Sequence, residues 1–451
     1  MRYAVFRGGR RAQHRAESGG GRRGVVASGS SMALSMLIVS VAGFATWTVA
    51  ARSMPVEEVG RLTGFVNGMM LVSGAAQLGL GLAVARFVPA AGRLAGRVLA
   101  AAYGAMVLSV LVVSAVYLLT PSGRTVTEGM PAGWLVLTGT AVLWSLFALQ
   151  SQALGALGRA RWAPPASAVF SAVRLGMLLV LAPMGVFAAT ASWWVPCALS
   201  LLVVGFLLRR GALPEFAGVE PDLPGRRQVA RYAGSSWVAS VWATLFFSGL
   251  PLLVLQRDGA AVSAVFAVLW VIYQTMDNVG ARFGGQLIVA VAREPGALRR
   301  SVRSLTRLGA LAAPALVVLV VVAPWVLALF GDRYAAEGGT ALRLLAVAFA
   351  FRLVQVLQVA VWRATDRTWA VVGVQAFQLV PPVVALLTGW AASLTDLALV
   401  VLATQVVLAV PCTAGLLRVL RPRASAGVPA PRSREAAEVT GEPFETTGGN
   451  R

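Results

Sequence analysis

Residues 98–120 read VLAAAYGAMVLSVLVVSAVYLLT, without one charged side chain, and Arg93, Arg97 and Arg124 stand just outside them. About 20 apolar residues are what an α-helix needs to cross the ~30 Å hydrocarbon core of a bilayer. Inside lipid such a stretch must be helical, because every backbone N–H and C=O has to find its partner within the segment. Working outward from this stretch, runs of the same kind lie at roughly 28–50, 63–85, 132–155, 163–186, 188–208, 233–255, 262–291, 308–330, 338–361, 370–390 and 396–417. With 98–120 they make twelve expected spans in an all-α, polytopic membrane protein.

The composition of the 451 residues agrees: 57% are hydrophobic and 13% charged, about half the ~25% of ordinary soluble proteins. Mean hydropathy is +0.74. These values exclude a soluble enzyme, a disordered chain and a secreted disulfide scaffold. The two cysteines, Cys197 and Cys412, lie inside apolar runs, and the one histidine, His14, lies in a polar tail. No disulfide framework, zinc site or histidine base is on offer, and neither an enzyme activity nor a cofactor is expected.

The net charge of +21 could suggest nucleic acid, but its distribution argues against that partner. All 39 basic residues are arginine. Thirty lie in the termini and the loops on one side of the twelve-run frame, six lie on the other side (Arg52, Arg61, Arg124, Arg257, Arg333, Arg343), and three lie within runs. Positive charge stays on the cytoplasmic side, so both termini are expected there, in the plasma membrane. The first run is longer than the ~7–15 residues of a signal-peptide core and reads as a retained helix. Trp47, Trp134, Trp193, Trp194, Trp325 and Trp390 fall near expected outer ends, and Trp162 and Trp369 near inner ends, as interfacial aromatics do.

Residues 1–27 are Arg/Gly/Ser-rich and 421–451 are rich in Pro, Gly, Ser, Thr and Glu; both read as disordered cytoplasmic tails. The proline-bearing segment 209–232 is a cytoplasmic linker between two sets of six runs, 28–208 and 233–420. The sets look related. GRARWA at 158–163 and TDRTWA at 365–370 place their tryptophans 207 residues apart, and Val195-Pro196-Cys197 and Val410-Pro411-Cys412 lie 215 apart. PVEEVG at 55–60 has a looser counterpart in GAAVS at 259–263. Six spans return the chain to the same side, so these are parallel repeats about an axis along the membrane normal.

Three stretches carry a family resemblance. Ala51-Arg52-Ser53-Met54-Pro55-Val56-Glu57-Glu58-Val59-Gly60 resembles the link between the first two helices of polysaccharide repeat-unit flippases of the Wzx type. Gly79-Leu80-Gly81-Leu82-Ala83-Val84-Ala85-Arg86-Phe87 is similar to the segment that follows it there. Leu329-Phe330-Gly331-Asp332-Arg333-Tyr334-Ala335-Ala336 and Leu342-Arg343-Leu344-Leu345 resemble the family's link before the tenth helix. The family lies in the multidrug/oligosaccharidyl-lipid/polysaccharide (MOP) exporter superfamily. The resemblance implies two six-helix bundles around a central cavity and alternating access. It also implies transport of an undecaprenyl-diphosphate-linked oligosaccharide to the outer leaflet. The partners it implies are that substrate, membrane lipids, and the glycosyltransferases and polymerase of a polysaccharide pathway.

A flippase makes no bond, so its chemistry should lie in polar groups inside the bilayer. A charge at the centre of a span costs about 2.5–3.5 kcal/mol on the insertion scale and is rarely idle. The eighth run carries Gln274, Asp277, Asn278, Arg282 and Gln286. At 100° per residue Gln274, Asn278, Arg282 and Gln286 step round by about 40° each, and Asp277 lies on the other side of Gln274. Arg174 stands in the fifth run, and Arg352 and Gln355 in the tenth. Arg174, Arg282 and Arg352, with Gln274, Asn278 and Gln355, are therefore candidates for binding a diphosphate in a cavity, since guanidinium forks match phosphate oxygens. Asp277 is expected to hold Arg282 or to bind a coupling ion; a structural ion pair is the plainer alternative. Arg52 reads first as a topology anchor, and with Glu57 and Glu58 it is the candidate outer gate. Gln77, Gln150, Gln152, Gln375, Gln378 and Gln405 could bond sugar hydroxyls, although hydrogen bonds between helices are their commoner use. A drug/cation antiporter would favour acids in the membrane, whereas here arginines outnumber them three to one. A polytopic enzyme of polysaccharide assembly would need large loops or an acid constellation that the sequence lacks, and a non-transporting scaffold is the remaining reading.

Overall fold

The computed structural model describes residues 41–421 except 160–161, 217, 222, 224–233, 235–236, 294–297, 312 and 366. Both tails, the first part of the first run and much of the 209–232 linker lie outside the described residues. Among the described residues the chain is helical, with no strand.

Helix α1 covers 41–53, α2 Val56–Ala76, α3 Leu80–Phe87, α4 Ala95–Leu119, α5 Pro121–Thr127, α6 Gly133–Ala156, α7 Ala163–Leu181 and α8 Val186–Leu207. The second half continues with α9 at 237–258 and α10 at 260–293. Then come α11 Leu298–Leu311, α12 Ala313–Ala328, α13 Asp332–Ala364, α14 Thr368–Thr388 and α15 Leu394–Leu420. Local signals set the boundaries. Thr120 accepts a hydrogen bond from the Gly123 amide with Pro121 opening α5, and Ser393 and Asp396 form a reciprocal capping box on α15. Gly389, at φ 81°, ends α14 in the left-handed conformation.

With α9 and α10 taken as one stretch, eight helical segments among the described residues are long and apolar enough to cross a membrane, or nine if the bent pair α2–α3 is one span. Four runs account for the difference from the expected twelve. The seventh and eighth runs form one continuous helical stretch that breaks only at Gly259, where φ is 83° and ψ 175°. The chain reverses there: Phe246 and Trp270 stack edge to face at 5.1 Å, and the Trp270 indole donates to the Phe247 carbonyl at 2.8 Å. The ninth run is a shorter apolar helix within Pro314–Ala328, and the first run is described only from residue 41. The second run is broken by Leu78 and Gly79, both at positive φ, which bends α2 against α3 by 53°.

The two halves repeat locally. After α6, the Arg159 amide bonds to the Leu154 carbonyl at 2.8 Å and the Trp162 amide to the Arg159 carbonyl at 2.9 Å. After α13, 208 residues later, Arg367 bonds to Trp362 at 2.8 Å and Ala370 to Arg367 at 3.2 Å. The turns that carry the two tryptophan motifs are thus built alike. Pro196 and Pro411 sit inside α8 and α15, and the adjacent Cys197 and Cys412 are both fully buried.

The halves meet along α2 and the α9–α10 hairpin. Gly60 presses so closely on the Ala260 carbonyl that a Cβ would collide with it. Gly64 faces Leu255, Gly74 faces Thr244, and the Trp237 indole donates to the Ala75 carbonyl at 2.8 Å. Small residues permit this approach where lipid gives helices no hydrophobic reason to associate. Leu62, Phe65, Met69, Phe246, Leu250 and Tyr273 belong to one continuous buried core across the seam.

Candidate functional site

The polar groups of the second half converge. Gly280 and Gly284 let α10 lie close on α13, where their missing Cβ atoms would meet Leu353 at 3.3 Å and the Ala360 methyl at 3.1 Å. That register brings Asp277 opposite Arg352. The Arg352 guanidinium donates through Nε to Asp277 Oδ1 at 2.8 Å, and through one terminal nitrogen to Gln378 at 2.7 Å and Gln355 at 3.4 Å. Gln355 in turn donates to the Gln405 carbonyl on α15 at 3.1 Å. Four helices, α10, α13, α14 and α15, thereby share one polar knot.

The knot is buried, and several of its polar atoms have no partner within the protein. Asp277 and Arg352 are each 6% exposed, and Gln355 and Gln405 are wholly buried. Around them the Tyr273 hydroxyl, the Gln358 and Gln375 carbonyl oxygens, the Gln378 amide nitrogen and both polar atoms of the Gln405 side chain are buried without partners. Tyr273 stacks on Trp270 at 5.1 Å and meets Phe349 edge-on at 6.1 Å, which closes one wall with rings. Buried ion pairs add little net stability, because desolvation offsets their attraction, but losing one partner is costly. Unpaired donors and acceptors at such depth fit water or a hydrogen-bonding ligand.

Arg352 was expected to offer its guanidinium to a cavity. In this conformation it is buried and bonded to a carboxylate and two amides. Asp277 forms an ion pair with Arg352, 75 residues away on another helix; Arg282 is the partner expected from the sequence. The side chains of Arg282 and Gln286 lie outside the described residues. Gln274 is half-buried and Asn278 exposed, on the face of α10 next to the one that packs on α13. Sequence reasoning gave Gln378 and Gln405 a general hydrogen-bonding role and missed Tyr273 and Gln358. The signal for a shared site was there: Gln355/Gln358 and Gln375/Gln378 each place two amides one turn apart on one helix face.

Arg174 sits apart, in the first half. Its guanidinium lies 4.9 Å from the centre of the Trp193 ring, itself 1% exposed and 5.8 Å from Trp47. Among the described residues Arg174 forms no ion pair, and its Nε is buried without a hydrogen-bond partner. A guanidinium over an indole face is held electrostatically by the ring while its N–H edge stays available.

Arg52 was expected first as a topology anchor, and second as part of an outer gate with Glu57 or Glu58. Its bonds go to the main chain at the end of α12: Nε to the Leu329 carbonyl and a terminal nitrogen to the Ala328 carbonyl, each at 2.9 Å. The last carbonyls of a helix carry partial negative charge and lack intrahelical donors, which suits a cation there. Phe44 and Phe330 meet edge to face at 4.9 Å beside it, and the Ser122 hydroxyl reaches Gln256 at 2.8 Å. One end of the seam is therefore tied across the halves. Among the described residues no group of three or more His, Cys, Asp or Glu could hold a metal ion.

No protein-family model matches the chain, and no curated protein matches it in sequence. Solved structures do. An inward-facing multidrug resistance MATE family transporter of the MOP superfamily has a TM-score of 0.60 at 15% identity, over 84% of this chain and 94% of that one. An outward-facing MATE family transporter has a TM-score of 0.60 at 14% identity, over 88% and 95%. A MOP superfamily transporter from Pyrococcus furiosus, whose reverse polarity of the binding pocket suggests a different function, has a TM-score of 0.53 at 14% identity, over 85% and 95%. The chain has the fold of these membrane transporters.

Proposed function

We propose that this chain is an alternating-access transporter of the plasma membrane, with cytoplasmic termini. It carries an anionic lipid-linked substrate, an oligosaccharide on undecaprenyl diphosphate, to the outer leaflet. The six-helix sets 28–208 and 233–420 are the moving parts in this reading, with residues 209–232 as their tether. The fold supports transport, and the sequence motifs support the substrate class.

The observation that carries the anionic substrate is the contrast between two arginines. Asp277, the acid of the eighth run, is neutralised by Arg352, which leaves the Arg174 guanidinium without a carboxylate over the Trp193 ring. Diphosphate oxygens are the natural complement of such a fork. The rival reading, a cation antiporter, draws on Asp277 as a buried membrane acid, but it must first break the bond to Arg352.

The test is a flipping assay in proteoliposomes with a fluorescent polyprenyl-diphosphate-linked saccharide, run beside uptake of a cationic dye. Saccharide flipping that Arg174→Ala lowers at least tenfold supports the proposal. Dye exchange without saccharide flipping replaces it with the antiporter.

A further inference from the structure

An opening lies away from all of these groups, among α4, α6 and α8. It is a cavity of about 490 Å³, within the range of ligand pockets. Its walls are Leu99 and Tyr103 of α4, Leu146 of α6, and Leu202 and Phe206 of α8, with Arg209 at the mouth. Leu202 and Phe206 are exposed, 73% and 53%, so the cavity opens sideways through the apolar surface of α8.

Three features make it more than a gap between helices. Gly205 lines the trough without a side chain, and a Cβ there would stand in ordinary contact, 3.6 Å from the Gln150 amide, so only a larger side chain would fill the space. That amide is tied to the Leu201 carbonyl at 3.3 Å, which fixes a floor between α6 and α8. The Tyr103 hydroxyl is buried in the cavity wall and has no hydrogen-bond partner. At the mouth the end of α8 widens into a π-turn over Leu208–Ala212. There Arg210 lies against its own helix, 4.5 Å from the Phe206 ring centre. Arg209 makes no ion pair among the described residues, and Glu215, the next acid along the chain, is already paired with Arg159.

We infer that this cavity is a binding site for one anionic phospholipid of the leaflet that Arg209 faces. An acyl chain fills the apolar trough, the phosphate rests on Arg209, and the Tyr103 hydroxyl donates to an ester carbonyl of the same lipid. Charge decides the occupant: a zwitterionic headgroup would bring a cation of its own to a mouth that is already cationic. The site is independent of Arg174 and of the Asp277–Arg352 pair, so it concerns stability and regulation, not the transported molecule.

The full chain in detergent tests this. Unfolding midpoints are recorded while phosphatidylglycerol or phosphatidylcholine is titrated in, with native mass spectrometry of retained lipid. Phosphatidylglycerol is expected to raise the midpoint at lower concentration than phosphatidylcholine, as a ligand of the folded state does. Arg209→Gln should weaken that response about tenfold, as loss of a charge-assisted bond would. Gly205→Leu should abolish the response by filling the trough, with Gly205→Val as the milder variant should leucine prevent folding. Arg367→Gln, an exposed arginine elsewhere, should leave the response unchanged. An equal response to both lipids, or an undiminished phosphatidylglycerol response in both Arg209→Gln and the Gly205 variant, overturns the inference. So does retention of a polyprenyl phosphate in place of a phospholipid.

Discussion

Asp277 Oδ1 and Arg352 Nε lie 2.8 Å apart between α10 and α13, and neither residue is more than 6% exposed. The two side chains form one buried ion pair that joins the helices. Asp277→Leu or Arg352→Leu alone should therefore lower stability by about 3–5 kcal/mol, since each strands a buried charge. The double leucine variant should recover most of that loss. A double-mutant cycle on unfolding midpoints checks it, and additive losses would mean that the two groups are not coupled.

Gly60 has no room for a Cβ against the Ala260 carbonyl. Gly60→Val should separate α2 from the start of α10 and reduce both folded yield and transport. Gly139→Ala, where a Cβ meets nothing within 4 Å, should be neutral. Yield in detergent by size-exclusion chromatography measures the difference.

Arg52 holds the end of α12 through two main-chain carbonyls. Cysteines at Phe44 and Phe330, whose rings are 4.9 Å apart, should cross-link efficiently with a short bifunctional reagent when Cys197 and Cys412 are replaced by serine. Arg52→Ala should lower the cross-linking yield several-fold. An unchanged yield would make the arginine a bystander.

Arg174 acts through a fork in the proposed mechanism. Arg174→Lys keeps the charge but not the paired donors, so saccharide flipping should fall nearly as far as in Arg174→Ala. Full activity in the lysine variant would point to charge alone. Trp193→Leu, which removes the ring beneath the guanidinium, should lower activity less than either.

Much of this was legible in the sequence, for reasons that individual residues make clear. Hydropathy locates the spans because lipid demands it, and charge marks Asp277, Arg352 and Arg174 because charges in lipid are costly. What hydropathy cannot carry is register. Asp277 meets Arg352 because Gly280 and Gly284 set the depth at which α10 lies against α13, a relation between segments 75 residues apart. Spacing around one helix points only to neighbours on that same helix, such as Arg282. Breaks are equally silent: Leu78 and Gly259 sit in apolar or helix-compatible surroundings, and only their positive φ reveals a bend in one case and a reversal in the other. The partners of Arg52 were hidden for a different reason. A sequence shows the nearby glutamates but not the free carbonyls at the end of a helix that begins some 260 residues later.

The bond from Arg52 has a consequence for the conditions in which the molecule works. A latch made with a carboxylate would loosen as acid protonates it. The acceptors here are the Ala328 and Leu329 carbonyls, which have no proton to gain. This closure should hold equally well in mildly acidic and alkaline surroundings, so whatever opens it must compete by force or by occupancy, because acidity alone gives no leverage.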